Sequence, residues 1–180
     1  SQGLVLPLSV LPENVQGWQI GADVGGELGI KKYEKEIPAQ LSGEVKCSFP
    51  EFLAAKTDED NGLSNPDLVE EVLKEHCTVT MKLDGSSMTM IVQDGELLHV
   101  CSRRLSLKES DTNSFWRAAK KAKLPTKGFY VIQGELMGPG IQGNQLELTE
   151  PEMFVYQIKC GADWLEYNTM QHIASTFDLR

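Results

Sequence analysis

The sequence lacks any long apolar run, and no stretch approaches the ~20 residues that a membrane-spanning helix needs. Its first residues also lack the basic segment and long apolar segment of a signal peptide. We therefore expect an intracellular, cytoplasmic protein with no membrane partner. Because the chain opens on "SQGLVLPLSVLP" without a Met, we also expect these 180 residues to be part of a longer protein.

Cysteine and histidine are scarce and scattered. The four cysteines are far apart in the sequence, so they show no zinc-type pairing and indicate single thiols in a reducing compartment: Cys47, Cys77, Cys101 and Cys160. The three histidines have no spacing that is typical of a metal site or a catalytic triad. Zinc chemistry and histidine-based hydrolysis therefore have no support in the sequence.

The sequence has no overall excess of positive charge, because its net charge at pH 7 is −9. This argues against a protein that coats nucleic acid through its total charge. Residues 103–127 nevertheless hold eight basic residues against two acidic ones. Such a segment suits a protein that binds phosphates at one place, and it suits a solvated helix face equally well.

The pattern of apolar residues predicts an α+β protein with largely antiparallel sheets and flanking helices. Residues 1–50 are predicted to be an extended N-terminal segment, and residues 51–180 a folded core. Three helices are predicted: one that Asn65 caps, one near 113–123 and a last one from Asn168.

Strands are predicted between these helices. Residues 87–93 and 96–103 form a hairpin around the turn signal Asp94-Gly95. Two more strands are predicted at 128–138 and 152–160. Residues 78–84 alternate, which predicts a strand with Lys82 and Asp84 on one face and apolar neighbours on the other.

The stretch "KLDG" (residues 82–85) is the first candidate for chemistry. An amine attacks phosphorus only without its proton, and a neighbouring carboxylate favours the protonated form. The pair makes sense as a nucleophile if Asp84 is occupied by a divalent cation, which reverses the local field. A solvated surface pair of Lys82 and Asp84 explains the same four residues equally well.

Further segments add a resemblance to the pair. "KLDG" resembles the Lys-x-Asp-Gly motif of the covalent nucleotidyltransferases, the polynucleotide ligases and mRNA capping enzymes. "CSRR" (101–104), "QGELMGPGIQGN" (133–144) and "FVYQI" (154–158) follow in that family's order and resemble its next motifs. "QGELMGPGIQGN" resembles nick-sealing RNA ligases most specifically. Residues 32–60 look like the region before the lysine motif in RNA ligases with an N-terminal OB domain.

The resemblance implies an ATP-dependent RNA ligase, in which Lys82 carries AMP and joins 5′-phosphate and 3′-OH ends. It implies that Asp84 lies at a Mg²⁺ or Mn²⁺ ion, and that Arg103 contacts phosphate or the nucleic-acid end. The partner it implies is RNA or a duplex that contains RNA.

The resemblance also implies the residues that bind the nucleotide. Glu135 would bind the ribose hydroxyls of ATP, and Tyr156 would stack on adenine. Ser87 takes the place of a residue that touches ribose or phosphate. Without the resemblance, Tyr156 could be plain core packing and Arg103 an edge-strand charge; we assign Arg104 no role.

The sequence departs from the family after Ile158. Neither Glu-Gly-x-Val nor Lys-x-Lys, the motifs that complete the family's pocket, follows Ile158. We also expect the chain to lack the OB domain that precedes this region in the family. We therefore expect part of a nucleotidyltransferase domain, with weak or no formation of lysyl-AMP on its own. The alternatives are a non-catalytic nucleotide- or RNA-binding module, a DNA ligase or capping guanylyltransferase, and a purely structural β-rich domain.

Overall fold

This computed structural model describes residues 43–57 and 62–180, with the backbone alone at residue 63, and the isolated positions 18, 19, 21, 25, 26, 28 and 29. The chain divides into two compact units, Ser1–Pro38 and Ala39–Arg180. The fold below is that of the second unit. The extended segment expected at residues 1–50, and the upstream region at 32–60, lie largely outside the described residues.

One seven-stranded antiparallel sheet dominates the second unit, with strand order β1-β4-β3-β2-β5-β6-β7. In chain order the strands are β1 Val45–Ser48, β2 Ser86–Gln93, β3 Glu96–Ser102, β4 Leu105–Leu107, β5 Phe129–Met137, β6 Glu152–Cys160 and β7 Asp163–Trp164. The helices are α1 Pro66–Val72, α2 Ser114–Ala119 and α3 Tyr167–Thr176, and a 3₁₀ turn covers Gly62–Ser64. The predicted α+β class is confirmed.

Local sequence signals explain several elements. Asp94 and Gly95 both have positive φ, at 48° and 89°, as a tight β2–β3 hairpin requires. Asn113 caps α2, because its Oδ1 accepts the backbone N–H groups of Phe115 and Trp116. Among the described residues, no helix combines the length and the apolar character needed to cross a membrane.

Each face of the sheet carries an apolar core. The larger core lies between the sheet and the helices α2 and α3, and its central strands are fully buried at Met88, Met90 and Ile132. The smaller core lies on the opposite face, where Phe49 and Ala54 pack on the sheet. Residues 49–54 therefore cover part of one face of the sheet, and the C-terminal helix packs on the other.

The prediction for residues 78–84 is wrong, because this segment forms no strand. Residues 76–84 have no regular secondary structure, and β2 begins at Ser86. Val79 is 93% exposed and Met81 81% exposed, so the apolar side of the alternation is not buried. Alternation predicts a strand only where a neighbouring strand and a core receive it, and neither receives this segment.

The basic segment at residues 103–127 has two parts. In and after α2 the cations pair with carboxylates: Arg117 with Glu150, Lys120 with Glu109 and Asp111, and Lys123 with Asp178. That part is a charge-balanced surface. Arg103 and Arg104 instead connect β3 to β4 and line a cavity at one end of the sheet.

Candidate active site

A cavity of about 1350 Å³ opens at one end of the sheet. Antiparallel pairing brings the starts of β2 and β6 to the ends of β3 and β5, as the register of Ser86 with Leu136 and of Leu136 with Met153 shows. The cavity exceeds the roughly 300–1,000 Å³ that is usual for a small-molecule site. Its volume is therefore large enough for a nucleotide together with further ligand atoms.

All six residues singled out in the sequence line this one cavity: Lys82, Asp84, Ser87, Arg103, Glu135 and Tyr156. They come from five separate places in the chain. The segment before β2 brings Lys82 and Asp84, the start of β2 brings Ser87, and the β3–β4 turn brings Arg103. Strands β5 and β6 supply the remaining two. The topology thus gathers residues that are up to 74 positions apart in sequence.

Glu135 lies opposite Ser87 in the pairing of β5 with β2. Its Oε1 accepts the backbone N–H of Gly85 at 3.0 Å. Burial raises the pKa of the Glu135 carboxyl, and the Gly85 hydrogen bond and the charge of Lys82 partly offset this. The charge of Asp84 acts in the same direction as burial. The pKa of the Glu135 carboxyl therefore depends on the charges of Lys82 and Asp84 in the lysine motif.

Tyr156 occupies a β-bulge in β6. Gln133 pairs with Gln157 and Gly134 pairs with Val155, so Tyr156 is the extra residue at which the register of β6 shifts. The bulge breaks the in–out alternation of the strand, and Tyr156 is 42% exposed and lines the cavity. The interpretation of Tyr156 as plain core packing does not hold.

Gly134 makes the close approach of β5 to β6 possible. A Cβ built on Gly134 would lie 2.4 Å from the carbonyl oxygen of Phe154. Any larger residue would push β6 away at the position that precedes the bulge. The glycine before Glu135 is thus explained by sheet geometry.

Sequence reasoning missed several wall residues. Arg104, to which we assigned no role, lines the cavity beside Arg103. Thr57 forms a 3.2 Å hydrogen bond with Ser87 through their hydroxyl groups. From α3, Tyr167 and Gln171 reach the same cavity. The apolar pattern of residues 168–179 predicts a helix, but it does not predict that this helix lies at the cavity.

A buried glutamine anchors the segment that leads to Thr57 in the cavity wall. Gln133 is fully buried, and its Nε2 donates to the carbonyl oxygen of Ala55 at 2.9 Å and to the Thr89 hydroxyl at 3.3 Å. Its Oε1 accepts from Gln157 at 2.5 Å. These bonds tie Ala55, two residues before the cavity-lining Thr57, to the centre of the sheet.

The side chains at the cavity could supply only some of the ligands of a metal ion. Within the described residues, no three His, Cys, Asp or Glu side chains come together as a metal cluster. Asp84 is exposed at the cavity and offers a carboxylate. Mg²⁺ is commonly held by one or two carboxylates together with substrate phosphates and water, so one carboxylate at a phosphate site fits it.

Comparison with known proteins agrees with this geometry. The RNA ligase family model matches residues 75–180. A mutant of the Naegleria gruberi RNA ligase with AMP and Mn is 34% identical, with a TM-score of 0.68, and is matched over 100% of this chain and 56% of that one.

Two further structures of the Naegleria gruberi RNA ligase are similar. The ligase with PPi is 36% identical with a TM-score of 0.66, over 98% of this chain and 53% of that one. A mutant with ATP and Mn is 34% identical with a TM-score of 0.67, over 99% and 54%. No curated protein matched the sequence.

The family model covers more than half of the chain, from before the lysine motif to the last residue. The fold and the cavity define a nucleotidyltransferase-type domain of the ligase kind. The chain belongs to the RNA ligase family. It spans little more than half the length of the solved ligases it resembles.

Proposed function

We propose that this chain is the adenylylating part of an ATP-dependent RNA ligase, which joins 5′-phosphate and 3′-OH ends through AMP held on Lys82. The observation that carries the proposal is the common cavity of Lys82, Asp84, Glu135 and Tyr156. Membership of the RNA ligase family and the ATP- and AMP-bound relatives add support.

The first reaction transfers AMP to the lysine. Nζ of Lys82, without its proton, attacks the α-phosphorus of ATP; a P–N bond forms, the P–O bond to the β-phosphate breaks and pyrophosphate leaves. An oxygen of the RNA 5′-phosphate then attacks the same phosphorus and frees the lysine. Finally the 3′-OH attacks the activated 5′-phosphate, the two strands join and AMP departs.

Two side chains would orient the nucleoside. Stacking of adenine on the exposed Tyr156 ring would contribute about 1–3 kcal/mol, as base–aromatic stacking does elsewhere. The carboxylate of Glu135 accepts hydrogen bonds and suits the ribose hydroxyls. The Ser87 hydroxyl, next to Glu135 in the sheet register, can reach the ribose or a phosphate.

The phosphates would meet the charged side of the cavity. Arg103 and Arg104 present planar guanidinium groups, which bind phosphate oxygens in pairs. Asp84 would hold Mg²⁺ or Mn²⁺ beside the phosphates, and this ion would neutralise their negative charge when bound. Arg104 is a second phosphate contact that the sequence did not suggest.

We further propose that residues 1–180 on their own form the AMP adduct weakly. The family motifs Glu-Gly-x-Val and Lys-x-Lys do not follow Ile158 in residues 159–180, and electrostatic stabilisation of the transferring phosphate is a large part of catalysis. The partners would be RNA or duplexes that contain RNA, together with further segments of a longer ligase, including an OB domain.

The test is incubation of the protein with ATP and MgCl₂ or MnCl₂, followed by intact mass. We expect a small fraction with the added mass of one AMP, lost in Lys82→Arg and kept in Lys74→Arg, a change of another exposed lysine. An adduct that survives in Lys82→Arg would contradict the proposal. Binding of AMP without any adduct would favour a non-catalytic binding module, and labelling by GTP a capping-type enzyme.

A further inference from the structure

Glu135 makes a contact that nucleotide binding does not explain. Its Oε1 accepts the N–H of Gly85 at 3.0 Å across 50 residues of sequence. Gly85 directly follows the three residues that carry the nucleophile and the carboxylate of the motif. The carboxyl group therefore holds the main chain of the lysine motif itself.

The main chain at Gly85 also passes very close to the end of β5. A Cβ at Gly85 would lie 2.3 Å from the carbonyl oxygen of Leu136 and 2.5 Å from Sδ of Met137. The hydrogen bond and this close approach act on the same residue. Together they fix the point at which the chain leaves the sheet.

The segment before Gly85 depends on this point. Residues 76–84 form no helix or strand, and Val79 is 93% exposed. Lys82 is three residues from Gly85, a reach of about 10 Å in extended chain. The direction of the chain at Gly85 therefore sets where the lysine backbone can lie.

We propose that Glu135 is a positioning residue for Lys82, acting through the Gly85 N–H in addition to any contact with ribose. This inference rests on the proposed function. A carboxylate offers about four acceptor sites on two oxygens, so Oε2 stays available while Oε1 holds Gly85. One side chain then links the seat of the nucleotide to the placement of the nucleophile.

The first test measures the hold on Gly85 without any nucleotide. Amide hydrogen exchange of Gly85, followed by NMR, should become at least about 10-fold faster in Glu135→Ala, because the acceptor is gone. Glu135→Gln keeps an acceptor oxygen and should restore most of the protection. Exchange at Val131, in the middle of β5, should not change, and Glu70→Ala serves as the control on the exposed helix α1.

The second test separates the hold on Gly85 from the ribose contact. The rate of AMP-adduct formation is compared for ATP and 2′,3′-dideoxy-ATP in the wild type, Glu135→Ala and Glu135→Gln. We expect Glu135→Ala to lose at least about 10-fold with both nucleotides and Glu135→Gln to recover much of it. A contact with ribose alone predicts no loss with the dideoxy nucleotide.

Unchanged Gly85 exchange in Glu135→Ala would overturn the inference, and so would a loss confined to ATP. If the wild type forms no adduct, the proposal of weak adduct formation by residues 1–180 fails, and the exchange measurement alone decides the hold on Gly85. The two failures are therefore distinguishable.

Discussion

The centre of the sheet and the stretch from α1 to Asp84 differ sharply in how they are packed. In β2 and β5, Met90 and Ile132 are fully buried between the sheet and the helices. In contrast, α1 has no buried residue, and Val79 in the stretch after it is 93% exposed. The site draws Glu135 from the first region and Lys82 from the second.

This difference shows that apolar burial holds one half of the site and a few polar contacts hold the other. Burial is worth roughly 25 cal/mol per Å² of apolar area, so the sheet residues are placed by a large sum of contacts. The lysine segment gains little from this source. Its placement depends instead on the hydrogen bond and close approach at Gly85.

The largest effect should come from the sheet core. Ile132→Ala removes fully buried methyl groups from a closely packed site, which should lower the free energy of unfolding by about 2–5 kcal/mol. Val79→Ala, at an exposed position, should change it by less than about 0.5 kcal/mol. Urea denaturation measures both, and equal effects would mean that Val79 is buried in solution.

The contact between the two regions should be the next most sensitive place. Gly85→Ala forces a Cβ into the Leu136 carbonyl, which should cost about 1–3 kcal/mol of stability and reduce the AMP adduct. Gly43→Ala is the control, since nothing lies within 4 Å of its Cβ and its φ is not in the left-handed region. If both variants kept wild-type stability and adduct, the close approach at Gly85 would be absent in solution.

Substitution of the buried Gln133 should lower the free energy of unfolding by a similar amount. Gln133→Leu leaves the carbonyl of Ala55 and the amide of Gln157 without their partner, which should cost about 1–3 kcal/mol. Limited proteolysis should then cut residues 49–57 faster. Gln93→Leu, at an exposed strand end, should leave the cleavage pattern unchanged. If residues 49–57 were cut faster in this control variant as well, the effect would be a general destabilisation of the protein.

The smallest effect should be a pH dependence of stability that arises from His99 in β3. Burial and the charge of Lys46 lower the pKa of His99, whose Nδ1 lies 2.8 Å from the Ser106 hydroxyl. As the pH falls below about 6.5, the unfolded chain takes up a proton before folded His99 does, so stability is lost.

The measurement is the urea midpoint at pH 7.0 and pH 5.5 for the wild type and His99→Gln. The carboxylates shift both proteins alike, so the difference between the two isolates His99. The variant should lose less stability on acidification than the wild type. An equal loss would show that His99 carries no pH dependence.

Elements marked by local chemistry could be predicted from the sequence. The Asp94-Gly95 turn predicts the β2–β3 hairpin, and Thr112 or Asn113 as a cap predicts the start of α2, where the structure has Asn113. The short strands β1, β4 and β7 were not predicted, because two to four residues carry too little periodicity and their pairing joins distant parts of the chain. For residues 78–84 the alternation was present, but it carried no information about a partner strand.

The site shows the same limit. Sequence motifs named Lys82, Glu135 and the other predicted residues, and the structure brings them to one cavity. The bulge at Tyr156 and the bond from Gly85 to Glu135 could not be predicted, because both depend on the register of strands. Arg104 and α3 were missed because their position follows from the tertiary fold alone.

The central claim is that Lys82 receives AMP from ATP. The most direct measurement is peptide mapping by tandem mass spectrometry after incubation with ATP and MnCl₂. We expect one modified peptide, with AMP on Lys82 and none on Lys74 or on any other lysine. AMP on a different residue, with Lys82 unmodified, would contradict it.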